Sequence, residues 1–134
     1  MKPEEFIDTV KQKYPASATD EILLSTLENV RLYWNPVVNK IQEENADVFS
    51  SLQAGKSSTD FVQIRLDKNL LKIEKKDNEL DIIFMSEKET PYANPAEYKI
   101  LDTIYVDRGI AYIRSTGETF KVDILERYFK YLLS

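Results

Sequence analysis

The sequence predicts an α+β protein in which about three N-terminal helices pack on an antiparallel meander of five or six strands and a C-terminal helix follows. Three changes of apolar spacing carry that expectation. Up to residue 54 the apolar residues recur at offsets of three and four, over 61–122 they mostly alternate, and over 123–133 the helical spacing returns. A length of 134 residues is one domain's worth, so the chain is read as a single domain, 1–134.

The first helix is expected to begin at Pro3, where a missing N–H costs nothing, with Glu4 and Glu5 in its first turn. Phe6, Ile7 and Val10 make one short face, and Pro15 stops it after Tyr14. Thr19 or Asp20 can cap a second helix, whose face runs Ile22, Leu23, Thr26, Leu27, Val30 and Tyr33 or Trp34. Asn35-Pro36 reads as a cap followed by Pro, restarting a third helix after a bend; a kink in one long helix is the alternative. Val37 or Val38, Ile41, Val48 and Leu52 would line that third helix, and Gly55 would end it.

In the meander, Val62, Ile64 and Leu66 alternate with Gln63 and Arg65. Leu71 and Ile73 alternate with Lys72 and Glu74, and Leu80, Ile82 and Phe84 form a third strand. Asp67-Lys68-Asn69, Asp77-Asn78 and Asp107-Arg108-Gly109 are turn sequences that tolerate left-handed backbone. Pro91 and Pro95 mark Glu87–Ala96 as a loop before a strand over 100–106; a strand over 110–114 and a short sixth strand near Phe120 complete the sheet. Asp123 is the expected cap of the last helix, with Glu126 completing a capping box and Ile124, Leu125, Tyr128, Tyr131 and Leu132 facing inward.

The chemical inventory is short. The chain has no Cys and no His, which removes thiolate nucleophiles, disulfides, His-dependent triads and nearly every zinc site. No cofactor and no metal is expected. Gly55-Lys56-Ser57 looks like the end of a phosphate-binding loop, but Ser50 stands where the first Gly is needed, and the flanking elements are in the wrong order. Asp102, Asp107, Glu118 and Asp123 are plentiful without a spacing that singles out a pair, so a carboxylate-based enzyme is the second alternative only.

A net charge of −5 suits solubility and disfavours a phosphate backbone. The exception is the first hairpin. Arg65, Lys68, Lys72, Lys75 and Lys76 set against Asp67 and Glu74 leave residues 61–76 at +3, so a nucleic-acid regulator using 65–76 is the first alternative. Only Phe61 is there to stack on bases, and alternating Lys on a hairpin is the ordinary protection of a strand.

Aromatic residues make 11% of the chain, Tyr above all. Tyr and Trp bury large area at low entropic cost and keep a polar tip, as interfaces require. Trp34 at the helix bend, Tyr92 in the proline loop and Phe129 on the last helix are therefore the candidate anchors for a protein partner. Phe129 is chosen over Tyr128 because Tyr128 shares the stripe of Leu125 and Leu132. The order of helices, strands, interruption, strands and helix is similar in outline to secretion chaperones and toxin-neutralising immunity proteins, a likeness of fold alone. No membrane-length apolar run and no signal-type N-terminus is present, and Lys and Ile exceed Arg and Ala, as in AT-rich genomes. The expectation is a cytoplasmic protein of bacterial or phage type (immunity protein, inhibitor of a host system, or chaperone-like adaptor) that binds another protein stoichiometrically. A homodimer is also expected, from an open sheet edge or an apolar helix face.

Overall fold

The computed structural model describes residues 1–13, 18–56, 60–87 and 97–134. Helix α1 (Pro3–Lys13) is followed by a long helix α2 (Ala18–Glu44). Six strands come next: β1 (Ser50–Lys56), β2 (Asp60–Leu66), β3 (Asn69–Lys76), β4 (Glu79–Ser86), β5 (Glu97–Asp107) and β6 (Ile110–Ile113). They form one antiparallel sheet in sequence order. A 3-10 helix, Val122–Tyr128, runs directly into α3 (Phe129–Leu132). The stop expected at Tyr14-Pro15 and the proline loop from residue 88 onward lie outside the described residues.

The α+β class and the meander match the expectation from the sequence; the element count differs in three places. Asn35-Pro36 does not restart a helix, because α2 runs through it for 27 residues. Pro36 is exposed, and so is Leu32, whose carbonyl loses its helical donor to the proline on the side of the helix that faces solvent. Trp34 and Val38, buried on either side, hold both halves of the helix against one core.

The second difference is β1. Residues 50–56 were expected to end a helix lined by Val48 and Leu52; instead α2 stops at Glu44 and the chain returns as a strand. Gly55 lies inside β1, opposite Phe61 on β2, and the Phe61 ring covers it. A Cβ at position 55 would stand 2.5 Å from that ring. The expected sixth strand near Phe120 is only a bridge, Tyr112 to Thr119, after the left-handed turn at Gly117 (φ 72°). The sheet therefore has six strands, but not the six expected.

Third, Asp123 is not the cap of the last helix. Lys121, in extended conformation, takes that place with no side-chain cap, and the Ile124 N–H donates to the Lys121 carbonyl at 3.0 Å. Glu126 is turned away from a capping box: it accepts from the Tyr33 hydroxyl at 3.3 Å. Burial first, and that carboxylate second, raise the Tyr33 phenol above its ordinary range.

Leu23, Leu27, Val30, Trp34 and Val38 pack α2 onto Val62, Ile64, Leu71, Ile73, Leu80, Ile82, Phe84, Ile104 and Ile113 of the sheet. The same turns of α2 line a groove beside β1 and β2 through Leu24, Leu27 and Arg31, and one beside Ala111 and residues 120–122 through Thr26, Asn29 and Tyr33. Six flat strands would span about 24 Å at the usual strand spacing, twice the width of a helix. The sheet must therefore curl around α2, and the register shift at Ile82/Ile83 supplies a bend.

The C-terminal helices complete the concave side. The Tyr131 ring packs on Phe84 with centroids 5.3 Å apart, and buried Asn69 donates to the carbonyls of Leu132 (3.0 Å) and Ser134 (2.9 Å). The last carbonyls of a helix have no partner within it, so Asn69 from β3 serves here as a cap for the end of α3. Arg127 grips Glu118, tying the 3-10 helix to the segment after β6. That guanidinium, with the Thr116 hydroxyl, holds the Glu118 carboxyl down to about 2.

Trp34→Ala should lower stability by about 3–5 kcal/mol in urea unfolding, as for a large core aromatic. Asn69→Ala should cost about 1–3 kcal/mol by orphaning the buried Leu132 carbonyl. In a pH titration followed by NMR, Glu118 should titrate near 2 in the folded protein and return towards the ordinary 4.5 in Arg127→Gln. Because the folded value is depressed, the ion pair's contribution is complete above about 4.5 and disappears as pH falls through about 2.

Candidate functional site: the open edge of the sheet

The three sequence-chosen anchors are not brought together. Trp34 is 1% exposed and fills the core between α2 and the sheet, so it presents nothing to a partner. The helical stripe that suggested a bend there is the stripe that faces the sheet. Phe129 is half-buried and stacks on Tyr33, rings 6.4 Å apart and 9° from parallel, which joins the last helix to α2. Tyr128 is buried, as its position on the inward stripe required. Tyr92 lies outside the described residues.

Arg65, Lys72, Lys75 and Lys76 of the basic hairpin are each paired with a carboxylate. Strand alternation divides them: Arg65, Lys72 and Lys76 point to the convex face, whereas Lys75 turns to the helical side and meets Asp20 of α2 at 3.2 Å. Lys72 pairs with Glu74 at 2.6 Å and lies over the Phe61 ring; Lys76 pairs with Asp81 at 3.5 Å and Glu74 at 3.9 Å. The Tyr98 phenol first, then Asp81 and Glu74, raise the Lys76 ammonium above its ordinary range. Arg65 donates to the Asp67 carbonyl at 2.9 Å and pairs with Glu87 at 2.5 Å; Lys68 is exposed at the turn. The +3 read from residues 61–76 omitted Asp20, Asp81 and Glu87, which come from elsewhere in the chain.

The carboxylates weighed for catalysis are also dispersed. Asp102 accepts from the Thr103 N–H (2.8 Å) and from Ser115, while Glu118 is held by Arg127 and Thr116. Among the described residues no group of three acidic side chains could hold a metal ion, and no helix is long and apolar enough to cross a membrane.

What the fold leaves open is an edge. The sheet ends at β1 on one side and β6 on the other, and the two are treated differently. The outer side of β6 is closed by the returning chain: Ile113 N–H donates to Glu118 at 2.9 Å and Phe120 N–H to Ala111 at 2.9 Å. β1 pairs with β2 without a bulge over its whole length, and its first six residues, Ser-Ser-Leu-Gln-Ala-Gly, carry no charge and no proline. None of the usual devices that blunt an edge strand is present in them.

The direction of each backbone group on β1 follows from one bond. Asp67 N–H donates to the Phe49 carbonyl at 2.8 Å, so residue 49 faces β2. In an antiparallel pair inward and outward residues alternate, so Ser51, Gln53 and Gly55 face β2 while Ser50, Leu52 and Ala54 face outward. The outward Ser50 carbonyl is taken by the Gln42 side chain at 2.8 Å. The outward N–H and C=O of Leu52 and Ala54 have no strand beside them among the described residues. Beside Ala54 lies a groove of about 440 Å³, between β1–β2 (Ala54, Gly55, Val62) and α2 (Leu24, Leu27, Arg31). At its rim Arg31 makes a two-pronged pair with Glu28, at 2.5 and 3.0 Å. That hydrogen bond lowers the Glu28 carboxyl below its ordinary range.

Sequence reading missed this edge because Ser, Gln, Ala and Gly are poor strand formers, and Val48 with Leu52 gave a helical spacing. The one available signal was the alternation of Leu52 and Ala54 with polar residues after the Asn45-Ala46-Asp47 turn. Comparison with protein-family models, curated proteins and solved structures returns no match to this chain. Proline replacement tests the edge directly. Ala54→Pro removes an outward N–H and should leave the thermal midpoint of the monomer within a few degrees. Gln53→Pro removes an inward, ladder-forming N–H and should cost at least about 1–3 kcal/mol.

Proposed function

We propose that this is a small cytoplasmic protein of bacterial or phage type that acts by stoichiometric binding of another protein, without catalysis. An extended segment of the partner adds as a seventh strand to β1. The observation that carries the reading is the unblunted edge: the outward backbone groups of Leu52 and Ala54 stand open beside a groove with an apolar helical wall. Strand addition of this kind draws affinity from main-chain hydrogen bonds and selectivity from pockets for alternate side chains. Leu24 and Leu27 on α2 supply the apolar contact, and the Arg31–Glu28 pair supplies charge at the rim. The matched cations of the first hairpin favour this reading over a phosphate backbone, which requires unneutralised positive charge.

The test is selection of peptides from a random displayed library, followed by NMR mapping. Selected peptides should shift the amides of Leu52 and Ala54 together with Leu24, Leu27 and Arg31. Ala54→Pro should weaken them at least about tenfold, the equivalent of 1.4 kcal/mol. Peptides that bind Ala54→Pro as well as the parent would overturn the reading. So would salt-sensitive binding of DNA mapping to Arg65 and Lys72.

A further inference from the structure

We infer that in the absence of a partner segment the β1 edge is occupied by the β1 edge of a second copy, about a two-fold axis at Gln53. The inference rests on the strand-addition reading and names the resting occupant of the same site, so that partner binding and self-association compete.

The register is selected by groups already described. Two-fold pairing of β1 with itself can be centred on Leu52, Gln53 or Ala54. Centring on Leu52 sets Ala54 against Ser50, whose carbonyl is already held by Gln42. Centring on Ala54 sets Leu52 against Lys56, at the far end of the strand. Only the Gln53 centre sets the two open residues against each other: Leu52 opposite Ala54 of the second copy, and the reverse, each pair exchanging both of its N–H···O=C bonds.

Side chains fit the same register. On the helical side a large Leu52 meets a small Ala54. On the convex side Gln53 meets Gln53 of the second copy. Its Oε1 already accepts from Gln63 Nε2 at 2.6 Å, so its own amide N–H groups are available to its mate. Ser51 meets Gly55. No charge faces a like charge across the central five residues, 51–55. Because the outer side of β6 is closed by residues 118–120, β1 has no open strand of another kind to join, and the association closes as a dimer rather than extending as a fibre.

The chain has no cysteine, which makes a cross-linking test clean. Gln53 lies opposite itself in a pair without mutual hydrogen bonds, where Cα atoms stand about 4.5 Å apart, within disulfide reach. Two Ser51 residues would be separated by four positions along the strands, about 13 Å, beyond that reach. Under mild oxidation Gln53→Cys should become a covalent dimer, while Ser51→Cys stays largely uncross-linked. In sedimentation the parent protein should be a dimer, Ala54→Pro a monomer, and addition of a selected peptide should dissociate the parent. A parent that sediments as a monomer at about 100 μM, or equal cross-linking of the two cysteine variants, overturns the proposal. The two readings fail separately. A monomer whose Leu52 and Ala54 amides still shift with peptide sinks the dimer alone; a Gln53-linked dimer for which no peptide is selected sinks the protein-partner reading alone.

Discussion

Everything in this fold depends on one helix being enclosed by one sheet. The stripe from Leu23 through Trp34 to Val38 is the apolar surface of α2, and it is covered by the concave side of the sheet together with Ile124, Leu125, Tyr128 and Leu132 of the C-terminal helices. Burying a side chain such as Leu or Trp contributes roughly 1.5–3 kcal/mol. Five such side chains on α2 outweigh a proline in the helix and a sheet bent away from its flat form. The same enclosure brings both sheet edges to the flanks of α2.

The two edges show how local chemistry decides what an edge can do. At β6 the turn at Gly117 returns the chain along the strand, and its backbone groups are used internally. At β1 a single side chain, Gln42, performs part of that task by taking the Ser50 carbonyl, and among the described residues no strand lies beside the next two outward residues. The C-terminus offers a third solution, in which Asn69 reaches from β3 to cap carbonyls more than sixty residues away. In each case a backbone group left over by secondary structure must find a partner, and which groups lack one is the most informative feature of the molecule.

The convex face follows a different rule. Its charged residues, Lys72, Glu74, Lys76 and Asp81, neutralise one another across strands. Ile83 is 1% exposed on that face, between Lys72 of β3 and Ile100 of β5. Phe61 uses its ring to cover Gly55 and receives the Lys72 ammonium at 4.8 Å. On β5 the same face also carries Tyr98 and Ile100, each 52% exposed. α1 differs again: Phe6 and Ile7 are 60% and 51% exposed along one side of the helix.

The sequence by itself determined the class, the hairpins and most of the core. Alternation over Val62–Leu66, Leu71–Ile73 and Leu80–Phe84 is a property of each strand alone, and left-handed turns at Asp77 and Gly109 follow from their own residue types. What tertiary structure decided were the matters that need two distant segments. Pro36 became a residue within a helix because Trp34 and Val38 share one core. Ser50–Lys56 became a strand because β2 stood ready to pair with it, against the poor strand propensity of its own residues. Trp34 went inside and the cations of the first hairpin found carboxylates from Asp20, Asp81 and Glu87, so neither signalled a surface. The open edge itself could not be read along the chain, since a strand is an edge only by what fails to lie beside it, and that is settled by the packing of the whole sheet.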